Sequence, residues 1–241
     1  MQKKTHKGKL IVFEGLDGSG KSTQTKLLES RLKKEGYRVV RIDFPQYGKK
    51  SAGLVEEYLN GKYGTTDEVG PYRASIFYAC DRYDASFQIR QWLEEGTIVI
   101  SDRYVGSNVG HQGGKIKDKE EREKYLKWLF GLEYNVFGIP RPDITFLLKT
   151  SPEWSLKLAG KITDPEKLEK RKSYLGGKEK DLHEEDRAHL ANALESYLEA
   201  VGGAESLYRI IECVDGDSLL LPEVIHEKIW QMVKFILSDG D

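Results

Sequence analysis

The chain has 241 residues, of which 39% are hydrophobic and 32% are charged, a composition typical of a folded globular protein rather than a disordered or fibrous one. Its 38 Lys and Arg residues nearly balance its 39 Asp and Glu residues, so the formal net charge is −1. This balance excludes binding to a nucleic-acid polymer through bulk positive charge, although local basic clusters are compatible with it.

The cysteines and the N-terminal stretch both predict a cytoplasmic protein. Cys80 and Cys213 have no CxxC or histidine spacing, which argues against a disulfide framework or a cysteine zinc site and favours a reducing compartment. The apolar run 10–13 is interrupted by Glu14 and is too short for a signal peptide or a membrane span. We therefore expect no association with a membrane.

Short apolar runs alternate with helix-length segments along the chain. The runs that predict strands are 9–14, 37–44, 97–102, 144–149 and 209–215. Their apolar residues are continuous rather than alternating, which predicts strands that are buried on both faces. Gly36 and Gly96 stand where the intervening helices are expected to end. The pattern predicts one α/β domain over residues 1–241, with a parallel sheet covered by helices on both faces.

The stretch 160–187 departs from this alternation, because it is crowded with charge and contains Gly176-Gly177. A charge run is most often a solvated surface. The alternative is a mobile lid that brings cations to a phosphate site, since loops of this length are usually functional or disordered. We predict a basic lid region at 160–187.

The segment GLDGSGKS at 15–22 matches the phosphate-loop pattern G-x-x-x-x-G-K-[ST] in full, directly after a predicted strand and at the start of a predicted helix. Its glycines let backbone N–H groups point at phosphate oxygens, and the helix adds the positive end of its dipole. Lys21 can neutralise the β- and γ-phosphates, and the Ser22 hydroxyl can bind Mg²⁺. A chance glycine-rich turn would have to reproduce all of these features in register. The predicted ATP-binding residues are Gly15, Leu16, Asp17, Gly18, Ser19, Gly20, Lys21, Ser22 and Thr23.

A binding site for a nucleoside triphosphate is compatible with a phosphotransferase, a GTPase-type switch or an ATP-driven motor. The sequence contains no guanine-reading [NT]KxD segment, and 241 residues leave little room for a motor. A small-molecule kinase is the best of the three.

A second candidate group, Asp102-Arg103-Tyr104, ends the predicted strand 97–102. An acid at the carboxyl end of a buried parallel strand can lie beside the phosphate loop and hold Mg²⁺ through water, which is the role predicted for Asp102. Arg103 can bridge the donor and acceptor phosphates. The alternative is a purely structural Asp-Arg pair.

GLDGSGKST followed by DRYVGSNVGHQG at 102–113 resembles the thymidylate kinase family. The resemblance extends to the blocks 44–64, 77–87 and 181–186, which lie in family order and cover most of the chain. It implies a P-loop kinase that transfers the γ-phosphate of ATP to dTMP, giving dTDP and ADP, with Mg²⁺ as cofactor. Two alternatives stay open: a kinase for another nucleoside monophosphate or a deoxynucleoside, and a non-catalytic ATP-binding regulatory protein.

The resemblance also implies roles for individual residues. Asp17 is similar to the family acid near the acceptor's 3′-hydroxyl, and Glu184 resembles a lid acid. Tyr78 and Arg82 match a base-stacking aromatic and an arginine that grips the acceptor phosphate, and their i, i+4 spacing places them on one helix face. The implied acceptor-binding residues are Asp17, Phe44, Pro45, Tyr47, Tyr78, Arg82, Arg103, Asn108 and Gln112, the last two as readers of the thymine edge.

A phosphate monoester has a second pKa near ~6, so the acceptor needs alignment and cations rather than a strong general base. Besides Arg82 and Arg103, one further arginine is expected near the γ-phosphate; some family members carry it in the phosphate loop, which contains none here. We predict that the lid stretch 170–172 provides it, with Arg171 first and Lys178 or Lys180 as alternatives. The predicted catalytic residues are Lys21, Arg103, Asp17 and Arg171.

Two positions depart from the family pattern, and one segment bears on assembly. Gln46 stands where many relatives have an arginine, and His111 where an aromatic is common near the sugar. His6, His183, His189 and His226 have no metal-site spacing and are interpreted as surface or packing residues. The segment 73–93 is apolar around much of its circumference. The resemblance implies a homodimer packed through this segment, whereas the sequence alone permits a monomer equally well.

Overall fold

A computed structural model describes residues 7–159, 187–202 and 208–238 of the chain. Five parallel strands form the main sheet in the order β2-β3-β1-β4-β5. They are β1 (Lys9–Glu14), β2 (Val39–Asp43), β3 (Ile98–Asp102), β4 (Ile144–Lys149) and β5 (Tyr208–Glu212). A small antiparallel pair consists of β6 (Val214–Asp215) and β7 (Ser218–Leu219). The predicted parallel sheet is confirmed, but the predicted strand 209–215 is two strands, because the chain turns at Cys213 into this hairpin.

Helices of the described residues pack on both faces of this sheet. They are α1 (Lys21–Lys34), α2 (Gly53–Leu59), α3 (Thr66–Glu94), α4 (Val105–His111), α5 (Lys119–Phe130), α6 (Pro152–Ala159), α7 (Arg187–Val201) and α8 (Pro222–Ser238). A π-helical turn, Gly131–Val136, extends α5, and 3₁₀ turns lie at Lys50–Ala52 and Gly113–Lys115. The first predicted helix and the helix before β3 end next to Gly36 and Gly96, which have φ angles of 89° and 73°.

The core follows the two-residue period of the strands. Ile11 and Phe13 of β1 face one cluster, with Leu28 of α1 and Trp230 of α8. The intervening Leu10 and Val12 face a second cluster, which contains residues of α3, α4 and α5. The inner strands β1, β3 and β4 are thus buried on both faces as predicted. The same prediction is wrong for β2 and β5, which lie at the edges of the sheet and expose part of their residues.

The order of the strands positions the candidate site. β1 lies between β3 and β4, so the loops that follow β1 and β3 leave the sheet at the same edge and side by side. Phe13 pairs with Asp102 in the parallel register, and the Arg103 amide donates to the Phe13 carbonyl oxygen at 2.9 Å. The phosphate loop and the Asp102-Arg103 group are therefore neighbours.

Two further predictions concern the lid region and membrane association. Of the predicted lid region 160–187, only Arg187 lies within the described residues. None of the helices in the described ranges is long and apolar enough to cross a membrane.

Candidate active site

The loop between β1 and α1 has the backbone shape of a phosphate cradle. Gly15, Gly18 and Gly20 have φ angles of 139°, 79° and 92°, a region that other residues rarely adopt. A Cβ atom at Gly15 would also lie 2.7 Å from the Leu148 carbonyl oxygen. The loop leads into α1, whose N-terminus has no capping side chain within the described residues. Its first N–H groups and the positive end of its dipole therefore suit an anion.

Lys21 and Ser19 bring polar groups into this loop. The buried Lys21 ammonium donates to the carbonyl oxygens of Gly15 and Leu16 at 3.0 and 2.8 Å, which holds the cation inside the loop. The buried Ser19 hydroxyl makes no hydrogen bond within the described part of the chain. A buried polar atom without a partner costs free energy, which a phosphate oxygen would recover. Contacts of the nine predicted ATP-binding residues with a nucleotide stay a prediction.

Arg103 connects the phosphate loop to the loop after β3. Its guanidinium donates to the Asp17 carboxylate and lies 3.3 Å from His111 Nε2 and 3.5 Å from Ser107 Oγ. Burial opposes the charged form of Arg103, but the negative charges of Asp17, Asp102 and Glu14 together outweigh it and raise the pKa of the guanidinium. Arg103 also has a φ angle of 73°, which is unusual for a residue with a side chain. The structure thus brings together two residues that are distant in the sequence and that we predicted to be catalytic.

Glu14, at the end of β1, holds the same region together and was missed by the sequence analysis. Its carboxylate is fully buried and accepts hydrogen bonds from the Tyr104 and Ser107 amides at 2.7 and 3.0 Å. It also accepts from the Ser107 hydroxyl at 2.7 Å and from the Tyr197 hydroxyl at 3.1 Å. Burial raises the pKa of Glu14, while the Ser107 hydrogen bond and the charge of Arg103 act in the opposite direction. The only signal in the sequence was a charged residue at the end of an apolar strand.

The Phe-Pro block after β2 lines the wall next to α3. The buried Phe44 ring packs 5.7 Å from the Tyr104 ring, and a cis peptide bond joins Phe44 to Pro45. Tyr47 packs against the buried cluster that includes Tyr58 of α2. The contacts of Phe44, Pro45 and Tyr47 with an acceptor stay predictions.

Gln46 anchors this block to α3. Its backbone amide and its side-chain Nε2 donate to the buried Asp81 carboxylate at 2.8 and 3.2 Å. Its Oε1 accepts from Lys49 Nζ at 2.6 Å. The family resemblance implies an arginine at position 46. In this chain the residue is Gln46, which is anchored to Asp81, and the Lys49 ammonium lies directly beside it.

Tyr78 and Arg82 lie one helical turn apart on α3 but in different environments. The half-buried Tyr78 ring meets the Tyr58 ring edge-on, with 6.4 Å between centroids. The Arg82 side chain is fully buried, and its Nε donates to both oxygens of Glu133 at 3.0 Å. Burial opposes the charge of Arg82, but Glu133 outweighs it and raises the pKa of the guanidinium. The predicted contact of Arg82 with the acceptor phosphate therefore stays a prediction, and its partner Glu133 was not anticipated.

Asn108 lies in α4, and Gln112 lies one turn later, at the C-terminal end of this helix. Both side chains are buried. Asn108 Nδ2 donates to the Ser75 carbonyl oxygen at 3.2 Å. Gln112 Oε1 accepts from Lys115 Nζ at 2.9 Å. The protein thus orients both amides, Asn108 through α3 and Gln112 through Lys115.

His111 packs against His189 of α7. Its Nδ1 lies 3.4 Å from His189 Nε2, and the two rings stack with 5.6 Å between centroids. His189 was interpreted as a surface or packing residue, and packing against His111 is what the structure has. His226 is buried in α8, whereas His6 and His183 lie outside the described residues. The predicted lid residues lie outside them as well: Lys170, Arg171, Lys172, Lys178, Lys180 and Glu184.

The predicted Mg²⁺ ligands fit a site in which substrate phosphates supply most of the coordination. No group of three or more His, Cys, Asp or Glu side chains suitable for a metal occurs in the described residues. Ser22 is the second residue of α1, and Asp102 ends the strand next to β1. One hydroxyl and one carboxylate beside a phosphate loop suit Mg²⁺, which keeps waters and binds through few protein ligands plus phosphates.

Comparison with known proteins agrees with this geometry. The family model described as thymidylate kinase matches residues 13–202. The chain is 32% identical over 145 residues to the thymidylate kinase of Mycobacterium tuberculosis, covering 60% of this chain and 67% of that protein. It is 35% identical over 156 residues to that of a Thermoanaerobacter species, covering 64% and 72%.

A solved structure of thymidylate kinase from Candida albicans superposes with a TM-score of 0.67 at 25% identity, covering 96% of this chain and 93% of that one. Sequence and fold therefore agree, and the prediction of the family from the sequence is confirmed. The chain belongs to the thymidylate kinase family, whose members are ATP-dependent nucleotide kinases.

Proposed function

We propose that the chain transfers the γ-phosphate of ATP to dTMP, giving dTDP and ADP. The observation that carries this proposal is the contact between Asp17 and Arg103. Asp17 belongs to the loop that cradles the donor phosphates, whereas Arg103 precedes the helix that carries Asn108 and Gln112. The contact brings the predicted donor side of the site next to the predicted acceptor side, and a direct transfer between two nucleotides requires such proximity.

The chain's part in the reaction is alignment and charge. The dTMP phosphate is largely a dianion at neutral pH and attacks the γ-phosphate without a strong general base. Lys21, held inside the loop, offsets the charge of the donor phosphates. Arg103, oriented by Asp17, offsets the charge that grows between donor and acceptor. Phe44, Pro45 and Tyr47 line the acceptor wall, and Tyr78 stacks on the base.

Mg²⁺ is the proposed cofactor, and the Ser22 hydroxyl and, through water, Asp102 would hold it. When bound, it would neutralise charge on the phosphates of ATP. Arg171 is the proposed source of the further cation near the γ-phosphate, with Lys178 or Lys180 as alternatives. Arg171→Ala is then expected to lower kcat, and an unchanged kcat together with loss in a Lys178 or Lys180 variant would reassign the role.

A single assay tests the function: ADP release from ATP and Mg²⁺ with dTMP, dUMP, dGMP, AMP, thymidine or no acceptor. We expect dTMP to give the highest kcat/KM and chelation of Mg²⁺ to abolish turnover. Lys21→Met is expected to lower kcat roughly a hundredfold or more, because a preorganised charge at the phosphates is lost. Lys34→Met, at the exposed end of the same helix, is the matched control. Strong turnover with thymidine but not dTMP would contradict the proposal, and no turnover with any acceptor would favour a binding protein.

We further propose that the enzyme is a single-domain cytoplasmic homodimer. Large apolar side chains are exposed along one stripe of α3 at helical spacing, namely Tyr72, Ile76, Tyr83 and Phe87. An apolar stripe on one helix is self-complementary across a two-fold axis, which suits the commonest kind of homodimer. Both cysteines are free, as expected in a reducing compartment.

A further inference from the structure

We propose that His189 of α7 acts through His111 to position the Arg103 guanidinium for phosphoryl transfer, and that this arrangement requires both imidazole rings to be neutral. The inference rests on the proposed function, because it takes Arg103 to offset charge between the donor and acceptor phosphates. His111 and His189 are positioning residues rather than catalytic ones.

The two ends of the Arg103 guanidinium face different parts of the molecule. Nη2 donates to the Asp17 carboxylate of the phosphate loop. Nη1 lies 3.3 Å from Nε2 of His111 and 3.5 Å from Oγ of Ser107, both on α4. The Ser107 contact is at the outer limit of hydrogen-bond length, so His111 is the better acceptor of the two. Asp17 therefore fixes one end of the guanidinium, and His111 fixes the other.

One arrangement of protons satisfies these contacts. A guanidinium donates hydrogen bonds and accepts none, so Nε2 of His111 must carry a lone pair. The proton of the neutral ring is then on Nδ1, which lies 3.4 Å from Nε2 of His189. That nitrogen must accept in turn, so His189 is also neutral, with its own proton on Nδ1. The hydrogen bonds thus run in one direction, from Arg103 through His111 to His189.

His189 suits the role of an anchor because the later turns of α7 are fixed to α4 and α5. Two turns after it, the buried Ser196 hydroxyl donates to the Val109 carbonyl oxygen of α4 at 2.6 Å. Arg122 of α5 donates to the Glu199 carboxylate at 2.7 Å. The position of His189 therefore depends on packing that lies away from the phosphate loop.

Acid is expected to break this chain of hydrogen bonds. A protonated imidazole donates from both nitrogens. A proton added to His111 would set N–H against N–H at Arg103, and one added to His189 would do the same at His111. Histidine is the side chain that ordinarily changes charge between pH 5 and pH 8, so the effect falls within an accessible range.

The groups around His111 add to this mismatch of donors. Arg103 faces it from the loop after β3, and its permanent positive charge opposes a second cation. His189 and Tyr197 face it from α7, with the Tyr197 ring edge-on at 6.3 Å between centroids. The Asp17 carboxylate is bound to the other end of the Arg103 guanidinium.

The first test substitutes His189. In His189→Leu the Nδ1–H of His111 loses this acceptor, so the proton can move to Nε2, where it opposes Arg103. We expect kcat with dTMP to fall about tenfold while KM for ATP stays within about twofold. His189→Gln, whose Oε1 can accept in place of Nε2, should recover most of the loss. Ala191→Leu, at an exposed position of the same helix, is the control and should retain wild-type kcat.

Urea unfolding of each variant gives the fraction that is folded under assay conditions, and kcat is corrected by it. A structural role alone would lower stability without separating the Leu variant from the Gln variant in corrected kcat. Equal corrected kcat values for His189→Leu and His189→Gln would therefore overturn the inference.

The second test uses pH. His111→Gln keeps an acceptor for Arg103 in an amide that does not titrate. The wild-type kcat/KM for dTMP is divided by that of His111→Gln from pH 8 to pH 5.5, so the second ionisation of the dTMP phosphate cancels. We expect this ratio to fall about fivefold as the pH decreases. A constant ratio would overturn this inference alone, whereas a wild-type enzyme that does not phosphorylate dTMP would overturn the proposed function.

Discussion

Three buried charged side chains, Glu14, Arg82 and Lys115, each have defined hydrogen-bond partners, so substitution of each tests a specific set of contacts. Glu14 accepts two backbone amides and two hydroxyls, and Arg82 is paired with Glu133. Lys115 differs from both, because its partners are neutral. Partners offset part of the free energy that burial of a charge costs, and removal of one partner leaves a polar group unsatisfied.

Glu14→Leu is expected to destabilise the protein by about 3 kcal/mol, because two buried backbone amides lose their acceptor. Glu14→Gln should retain most of the stability, since its oxygen can accept from the Tyr104 and Ser107 amides while its NH₂ group donates to the hydroxyls. Urea unfolding of the three proteins measures the effect. Equal losses in the Leu and Gln variants would show that charge, not hydrogen bonding, is what the site requires.

The lowered pKa of Lys115 predicts how the free energy of unfolding changes with pH. The pKa of Lys115 is about 8 in the folded protein against an ordinary value of 10.5, so between these values the unfolded chain binds more protons than the native one. Stability contributed by this group therefore rises with pH across that interval. The depression corresponds to about 3 kcal/mol.

We therefore expect the unfolding free energy of the wild type, minus that of Lys115→Met, to increase between pH 7.5 and pH 10. The difference cancels groups that titrate in both proteins. Lys117→Met, at an exposed neighbouring position, is measured in parallel as the control. A flat difference for Lys115→Met would mean that the ammonium is not desolvated.

At the scale of elements, the contact between α4 and α7 links the candidate site to the helix that follows the predicted lid. Glycines on the α4 side allow the close approach. A Cβ atom at Gly110 would lie 2.1 Å from Tyr197 Cε2, and one at Gly114 would lie 2.8 Å from the Asn192 carbonyl oxygen. Tyr197 also donates to Glu14, so this packing and the Glu14 network are coupled.

Gly110→Ala is expected to destabilise the fold by about 3 kcal/mol, because the added methyl group must displace a fully buried aromatic ring. Gly131→Ala is the matched control, since its Cβ would meet nothing within 4 Å and its φ angle of −61° is helical. That change should be neutral or stabilise by up to about 1 kcal/mol. Thermal or urea unfolding distinguishes the two, and a neutral Gly110→Ala would mean that α4 and α7 pack less closely.

At the scale of the whole molecule, the exposed stripe of α3 is the feature that a monomer does not explain. Phe87 is 59% exposed and Tyr83 is 41% exposed on the same helix. Phe235, at 66%, is an equally exposed aromatic on α8, which packs on the other face of the sheet. The two positions therefore form a matched pair for testing assembly.

Phe87→Lys is expected to convert a dimer into a monomer, because a charge would be buried against its counterpart in the partner. Phe235→Lys should leave the dimer intact. Light scattering coupled to size-exclusion chromatography measures the mass of each. A wild-type protein that is monomeric at micromolar concentration would contradict the proposed assembly.

Local features of the sequence determined the α/β class, the phosphate loop and the family. The strand–loop–helix unit from Lys9 to Lys34 follows from an apolar run, a glycine-rich motif and a helical segment that are contiguous. The inner strands were predicted well for the same reason, but the apolar pattern does not tell a central strand from an edge strand. β2 and β5 are therefore more exposed than their sequences suggest.

The tertiary structure alone decided which side chains meet. Arg103 reaches Asp17 across 86 residues and Arg82 reaches Glu133 across 51, because parallel strand register and helix packing place them together. Glu14 and Lys115 have no motif of their own, so their importance is visible only from their partners. The role of a buried charge depends on the groups that surround it, and those groups come from distant parts of the chain.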